Sequence, residues 1–181
     1  MSEQNSLYAK VHIDKEQLNK FLNAKITPIT NIDKWMQWLK NMEYSGSIGQ
    51  KDIESLTFYN CITNQDFFDI YFAATRIFPF QEYNTARKYW EVSILYFSEN
   101  VFDYIRLMHI ISTMAAYKSE TVDFAIIYPF MWIENAKPQI QLIFDKHSIT
   151  VNKEFKNELM DVAENHLTER RKILEEKYNN N

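Results

Sequence analysis

Apolar positions along this chain follow two spacings. Alternating runs mark strands, and runs spaced three and four apart mark helices. The most apolar stretch, Tyr89 to Trp132, reads as strand, helix, strand. Trp90, Val92, Ile94 and Tyr96 alternate onto one face of the first strand. A helix apolar nearly all round follows through SENVFDYIRLMHIISTMAAYK. VDFAIIYPFMW is the second strand and opens a hairpin, with QIQLIFDK returning after the connection ENAKP. Pro129 cannot donate to a ladder, so this strand is expected to be an edge there or to carry a bulge.

The remaining elements are placed around that stretch. Tyr8 to Ile13 reads as a strand, and Asp14 with Gln17 forms a capping box for a helix reaching about Ala24. Ile32, Trp35, Met36, Leu39 and Met42 form the stripe of a second helix starting near Thr30. YSGSIGQKD carries both glycines of the protein and reads as a loop. Leu56 to Ile62 reads as a strand. Thr63 and Asp66 cap a helix bearing Phe67, Tyr71, Ala74 and Phe78, stopped by Pro79. FQEYNTARK is a connection, and Ser98 caps the central helix. A last helix runs from about Asn152 to Tyr178, roughly 40 Å long at ~1.5 Å per residue. Its charge density rises after Leu167, so its final turns are expected to extend beyond the globule.

These elements predict an α+β domain spanning residues 1–181. A mixed or antiparallel sheet of four to five strands is packed by four to five helices, with disordered tails at 1–7 and 179–181. An all-α fold is the alternative, since short apolar runs fit buried helix segments as well.

Composition narrows the chemistry. The chain is 46% hydrophobic and 24% charged, with a mild net charge of −4, and its one basic cluster, Arg170-Arg171-Lys172, is flanked by Glu169, Glu175 and Glu176, so no nucleic-acid partner is expected. A bias toward Ile, Asn and Lys suggests an AT-rich, bacterial genome. Cys61 is the only cysteine and reads as a buried small hydrophobe in mid-strand. No leader-like N-terminus and no membrane-length apolar run occur, so the cytoplasm is the expected compartment and no membrane partner is expected. Two glycines cannot build a phosphate-cradling loop, and His12, His109, His147 and His166 are scattered. No cofactor, metal site or catalytic motif is therefore expected.

Two features remain. Glu99, Asp103, Arg106 and His109 step by four, three and three along the central helix, forming one polar seam able to bind an anion or move protons. Aromatic content is 15%, more than one small core needs. Trp38, Tyr44, Tyr59, Tyr83 and Tyr128 are the candidate interface residues. The expected function is a non-enzymatic protein-interaction domain, such as an immunity or inhibitor protein or an assembly adaptor. Its partner is another protein, with homodimerisation through the C-terminal helix as a further expectation. The alternative is a small enzyme or ligand binder with its polar site on the helix over residues 99–117.

Overall fold

The computed structural model describes residues 4–40, 48–118, 120–132, 137–152 and 157–179. In chain order the elements are β1 (Asn5–His12), α1 (Lys15–Asn23), α2 (Ile32–Leu39), α3 (Gln50–Glu54) and α4 (Asn64–Ala73). Then come β2 (Pro79–Asn84), β3 (Tyr89–Ser98), α5 (Val101–Thr113), β4 (Asp123–Tyr128), β5 (Ile140–Phe144), β6 (Ile149–Asn152) and α6 (Asn157–Asn179). The strands form one sheet of order β2-β3-β1-β4-β5-β6, antiparallel at every step. The fold is α+β.

β3 and β4 both run antiparallel to β1 and therefore parallel to each other. The conspicuous stretch is thus a crossover, β3–α5–β4, with β1 inserted between its two strands. The side-chain period of two then divides the sheet into a core on each face. Leu7, Val11, Val92, Ile94, Ile127 and Leu142 join side chains of α1, α2, α4 and α5 on one face. Tyr8, Leu95, Phe124, Ile126 and Tyr128 meet Ala163, Leu167 and Leu174 of α6 on the other. Ile53 of α3 joins the same core as those four helices. Each fully buried large side chain contributes about 1.5–3 kcal/mol, so this five-helix face carries most of the stability.

The structure has more strands than the sequence pattern predicts, and both additions are edges. Pro79 opens β2, where an edge position leaves its missing N–H without consequence. Asn152, expected to open the last helix, instead ends a strand, Ile149–Asn152, that pairs with β5. Leu56 to Ile62 is not a strand but a turn, held by Arg106 of α5 at Thr57 O and by Ile26 N–H at Ile62 O rather than by a sheet ladder. β-propensity is a preference for a pleated, half-buried surface and yields when that surface is elsewhere. Pro129 directly follows β4, which ends at Tyr128.

Local capping chemistry is partly as predicted. Thr63 and Asp66 form the expected box: Asp66 N–H donates to Thr63 Oγ1 at 3.2 Å and Thr63 N–H to Asp66 Oδ2 at 2.8 Å. Asp14 makes no side-chain cap and pairs with Lys88 at 2.8 Å instead. The α5 cap is Asn100, whose side chain accepts from Phe102 N–H at 2.9 Å, while Ser98 Oγ turns to Asp103. The predicted tail is also corrected. Asn5 to Leu7 are buried strand residues, with Ser6 Oγ donating to Leu95 O at 2.6 Å. The last turns of α6 stay on the globule, with Leu174 buried and the Tyr178 ring 6.1 Å from Phe78.

Candidate functional site

The central-helix seam does not converge. Glu99 precedes α5 and is exposed. His109 is buried, its Nε2 3.2 Å from Thr27 O, and burial pushes its imidazole below the ordinary range. Asp103 and Arg106 form an ion pair at 2.9 Å with both side chains largely buried. That pair reaches across to the turn before α4. Tyr59 Oη donates to Asp103 Oδ1, and Arg106 donates to Tyr59 Oη at 2.9 Å and to Thr57 O at 2.7 Å. The guanidinium also lies 4.6 Å from the Tyr59 ring centroid. Ser98 Oγ completes the Asp103 carboxylate at 2.8 Å. The seam is a clasp on a turn rather than a pocket.

That turn is strained. Cys61 N–H donates to Phe58 O at 2.8 Å, and the two central residues, Tyr59 and Asn60, have φ of 53° and 63°. Positive φ at both centres is the type I′ pattern. Asn tolerates that region, whereas a tyrosine there costs about 1–2 kcal/mol. The clasp offsets this cost and holds Tyr59 at 45% exposure, its ring stacked 6.5 Å from Phe67. Burial, then the Asp103 hydrogen bond, push the Tyr59 hydroxyl up to about 12. Burial with the Asp66 charge raises the Cys61 thiol. Cys61 is half-buried in this turn rather than sealed in a strand. Replacing Asp103 with Ala removes the acceptor of three donors, so unfolding in urea should show a loss of about 1–3 kcal/mol.

The segment after the turn continues the surface. Ile62 is 68% exposed and Ile70, two turns on, 43% exposed. Asp66 and Asp69 are exposed on the same side of α4. Between Lys51 and Arg76 the chain contains no Lys or Arg, so the patch is apolar with an acidic rim. Its signal in the sequence is α4 itself. Phe67, Phe68, Ile70, Tyr71, Phe72 and Ala73 are too many apolar positions for one face of a ten-residue helix. The inward face takes Phe67, Phe68 and Tyr71, and Ile70 is left outside.

The aromatic candidates separate clearly. Tyr59 is exposed. Trp38 is buried and its Nε1–H donates to Gln139 O at 2.9 Å. Tyr128 is buried against α6. Tyr83 is half-buried, its hydroxyl donating to Ile13 O at 3.1 Å. Tyr44 lies outside the described residues, as do residues 45–47 of the glycine loop, whereas Gly49 caps α3, so the end expected as loop is helical from Gln50. The aromatic surplus is therefore largely wall: Phe21, Phe58, Phe67, Phe68, Trp90 and Tyr104 are all in the core.

Three other polar groupings were not legible in the sequence. Buried Lys118 pairs with buried Asp123 at 2.9 Å, and Asp123 also accepts from His12 N–H at 2.9 Å and meets its Nδ1 at 2.6 Å. Beneath α6, Ser93 Oγ lies 3.0 Å from His166 Nε2, and His166 Nδ1 lies 3.5 Å from Glu91. This is the connectivity of a serine nucleophile, base and orienting acid. Yet Ser93 is 1% exposed and sits in a strand paired with β1 and β2 on either side, where no acyl group can reach it. Finally, a cleft of about 390 Å³ opens between the start of α2 and the β5–β6 turn, lined by Asn31, Lys34, Lys146, His147 and Ser148. Lys34 Nζ is committed to Ile149 O at 2.6 Å. Among the described residues, no three His, Cys, Asp or Glu are grouped to hold a metal ion, and no helix is long and apolar enough to cross a membrane. Comparison with protein-family models, curated proteins and solved structures finds no match to this chain.

Proposed function

We propose that this protein acts by binding another protein, without chemistry of its own, and that it docks through Tyr59, Ile62 and the outer face of α4. The single observation that carries this reading is the clasp. Two buried charges and a strained turn are spent on holding one aromatic side chain at the surface in a fixed pose. Rigid aromatic anchors lower the ordering cost of association, which is why they concentrate binding energy. Ile62 and Ile70 extend the apolar centre, and Asp66 and Asp69 supply its rim. The complementary partner is a protein with a basic rim around an apolar pocket. A cytoplasmic inhibitor or immunity protein that caps such a partner meets this description, and so does an assembly adaptor. α6 offers a poorer surface for self-association, since its exposed Val162 and Ile173 are separated by charged residues.

A photoreactive phenylalanine analogue at position 70 tests the face directly. The protein it captures is purified and titrated against the full chain by calorimetry. Ile62→Asp and Ile70→Asp should each weaken the complex by at least about tenfold, or ~1.4 kcal/mol, and added salt should weaken the wild-type complex. Ile173→Asp, on α6, should leave affinity unchanged. Equal binding by wild type, Ile62→Asp and Ile70→Asp would assign the partner to another surface. Capture of a second copy, with a dimer mass in light scattering, would replace the basic partner by self-association.

A further inference from the structure

We propose that α6 is a pH-sensitive strap, released from the sheet when His166 takes up a proton. The proposal starts from an asymmetry between the two layers. The five-helix face is a continuous apolar core, whereas α6 fully buries only Ala163, Leu167 and Leu174 among its 23 residues. Much of the rest of its inner side is polar. Arg170 stacks 3.3 Å from the Phe80 ring centroid and Arg171 lies 5.4 Å from that of Phe130. Arg170 Nε and Tyr128 Oη are buried at this interface with no hydrogen-bond partner among the described residues, and Arg171 Nε is turned along α6 to Glu175 at 3.7 Å. An element that fully buries only three apolar side chains and leaves polar atoms unsatisfied opens at lower free energy than the domain unfolds.

His166 sits at the centre of this interface with its side chain 8% exposed. Its ring packs 4.9 Å from Tyr8 and 5.5 Å from Phe80. Nδ1 lies 3.5 Å from Glu91 and Nε2 lies 3.0 Å from Ser93 Oγ. A neutral ring that carries its proton on Nδ1, toward the carboxylate, accepts the Ser93 hydroxyl proton at Nε2. Glu91 also accepts from Tyr8 Oη at 2.5 Å, and burial holds the Tyr8 proton firmly in place. Protonating Nε2 turns an acceptor into a donor. The Ser93 hydroxyl must then redirect its own proton inside a site closed to water.

The charges around the ring do not compensate fully. From β3 it faces Glu91, with Glu82 of β2 in register beside that residue. From β1 it faces Tyr8 and Lys10, and on α6 Glu169 and Arg170. Burial is the largest influence and lowers the imidazole below its ordinary 6.5, with Glu91 opposing and Arg170 and Lys10 reinforcing. In the released helix His166 returns toward about 6.5. Below that pH the released state binds a proton that the docked state refuses, so acid favours release. Release uncovers the sheet face of Tyr8, Leu95, Phe124, Ile126 and Tyr128.

Native-state hydrogen exchange of the full chain at pH 7.5 and 5.5, corrected for intrinsic rates, tests the strap. Protection of α6 amides over 160–175 should fall at least about threefold more than that of α5 amides over 104–111. His166→Gln, which can still meet Ser93 and Glu91, should abolish this selective loss. His109→Gln, which alters the other core, should leave it in place. Parallel loss in α5 and α6, or a wild-type response in His166→Gln, overturns the proposal. Should His166→Gln fail to fold, the titration of His166 followed by NMR in the wild-type chain decides. A midpoint below 6.5 supports the strap and one at or above 6.5 overturns it.

Discussion

Asp123→Ala should be among the most destabilising single substitutions in this protein, by about 3–5 kcal/mol in urea unfolding. The reason is what it leaves behind. The Lys118 side chain is fully buried, its ammonium bound to Asp123 and to Thr121 O. Phe144 lies alongside, its ring centroid 5.4 Å from Nζ. Removing the carboxylate strands that charge in an apolar corner and also removes the acceptor that Asp123 offers to the His12 N–H at the end of β1. For a domain with a total stability of roughly 5–15 kcal/mol, the variant approaches the unfolding threshold. Lys118→Met is the informative companion. Asp123 would keep His12 Nδ1 and the His12 N–H, so the cost should be smaller, about 1–3 kcal/mol. If the two substitutions cost the same, the buried pair rather than the Asp123 hub carries the stability. If Asp123→Ala costs less than about 1 kcal/mol, the corner is wetter than the structure indicates.

Phe67→Ala should cost about 3–5 kcal/mol, the range for a large aromatic truncated where neighbours cannot collapse. Phe67 is fully buried and its ring meets Phe58 at 5.9 Å, Phe68 at 6.0 Å and Tyr71 at 5.2 Å. These neighbours belong to α4 itself and to the turn that α5 clasps, so inward relaxation would break the clasp. The same variant therefore has a second readout. Tyr59 loses its stacking partner, and the docking complex should weaken even where enough folded protein remains to measure. Phe67→Leu keeps most of the volume and should cost about 1–1.5 kcal/mol. A stability loss in Phe67→Ala with unchanged partner affinity would separate the α4 core from the docking face.

Periodicity and capping made much of the centre legible. α1, α2, α4, β3, α5, β4 and β5 follow apolar spacings set by neighbours in the chain, and Thr63 with Asp66 is a contact three residues long. Even the exposed patch left a trace, in the excess of apolar positions on α4. The seam on α5 was found by its spacing, but its meaning was not. Asp103 and Arg106 contact Tyr59 more than forty residues away in sequence, and that contact turns a polar stripe into a clasp.

Spacing along the chain is a local property, so it sufficed for the α+β class and the central strand–helix–strand run. Pairing is non-local. Edge strands β2 and β6 exist because β3 and β5 offer them a ladder, and Leu56 to Ile62 has strand-like residues without one. Burial of charge is non-local as well. Lys118 meets Asp123, and Ser93 meets His166, only after the sheet has closed and α6 has crossed it. Those contacts, set by tertiary packing, decide where this protein is rigid, where it is strained and which helix it can release.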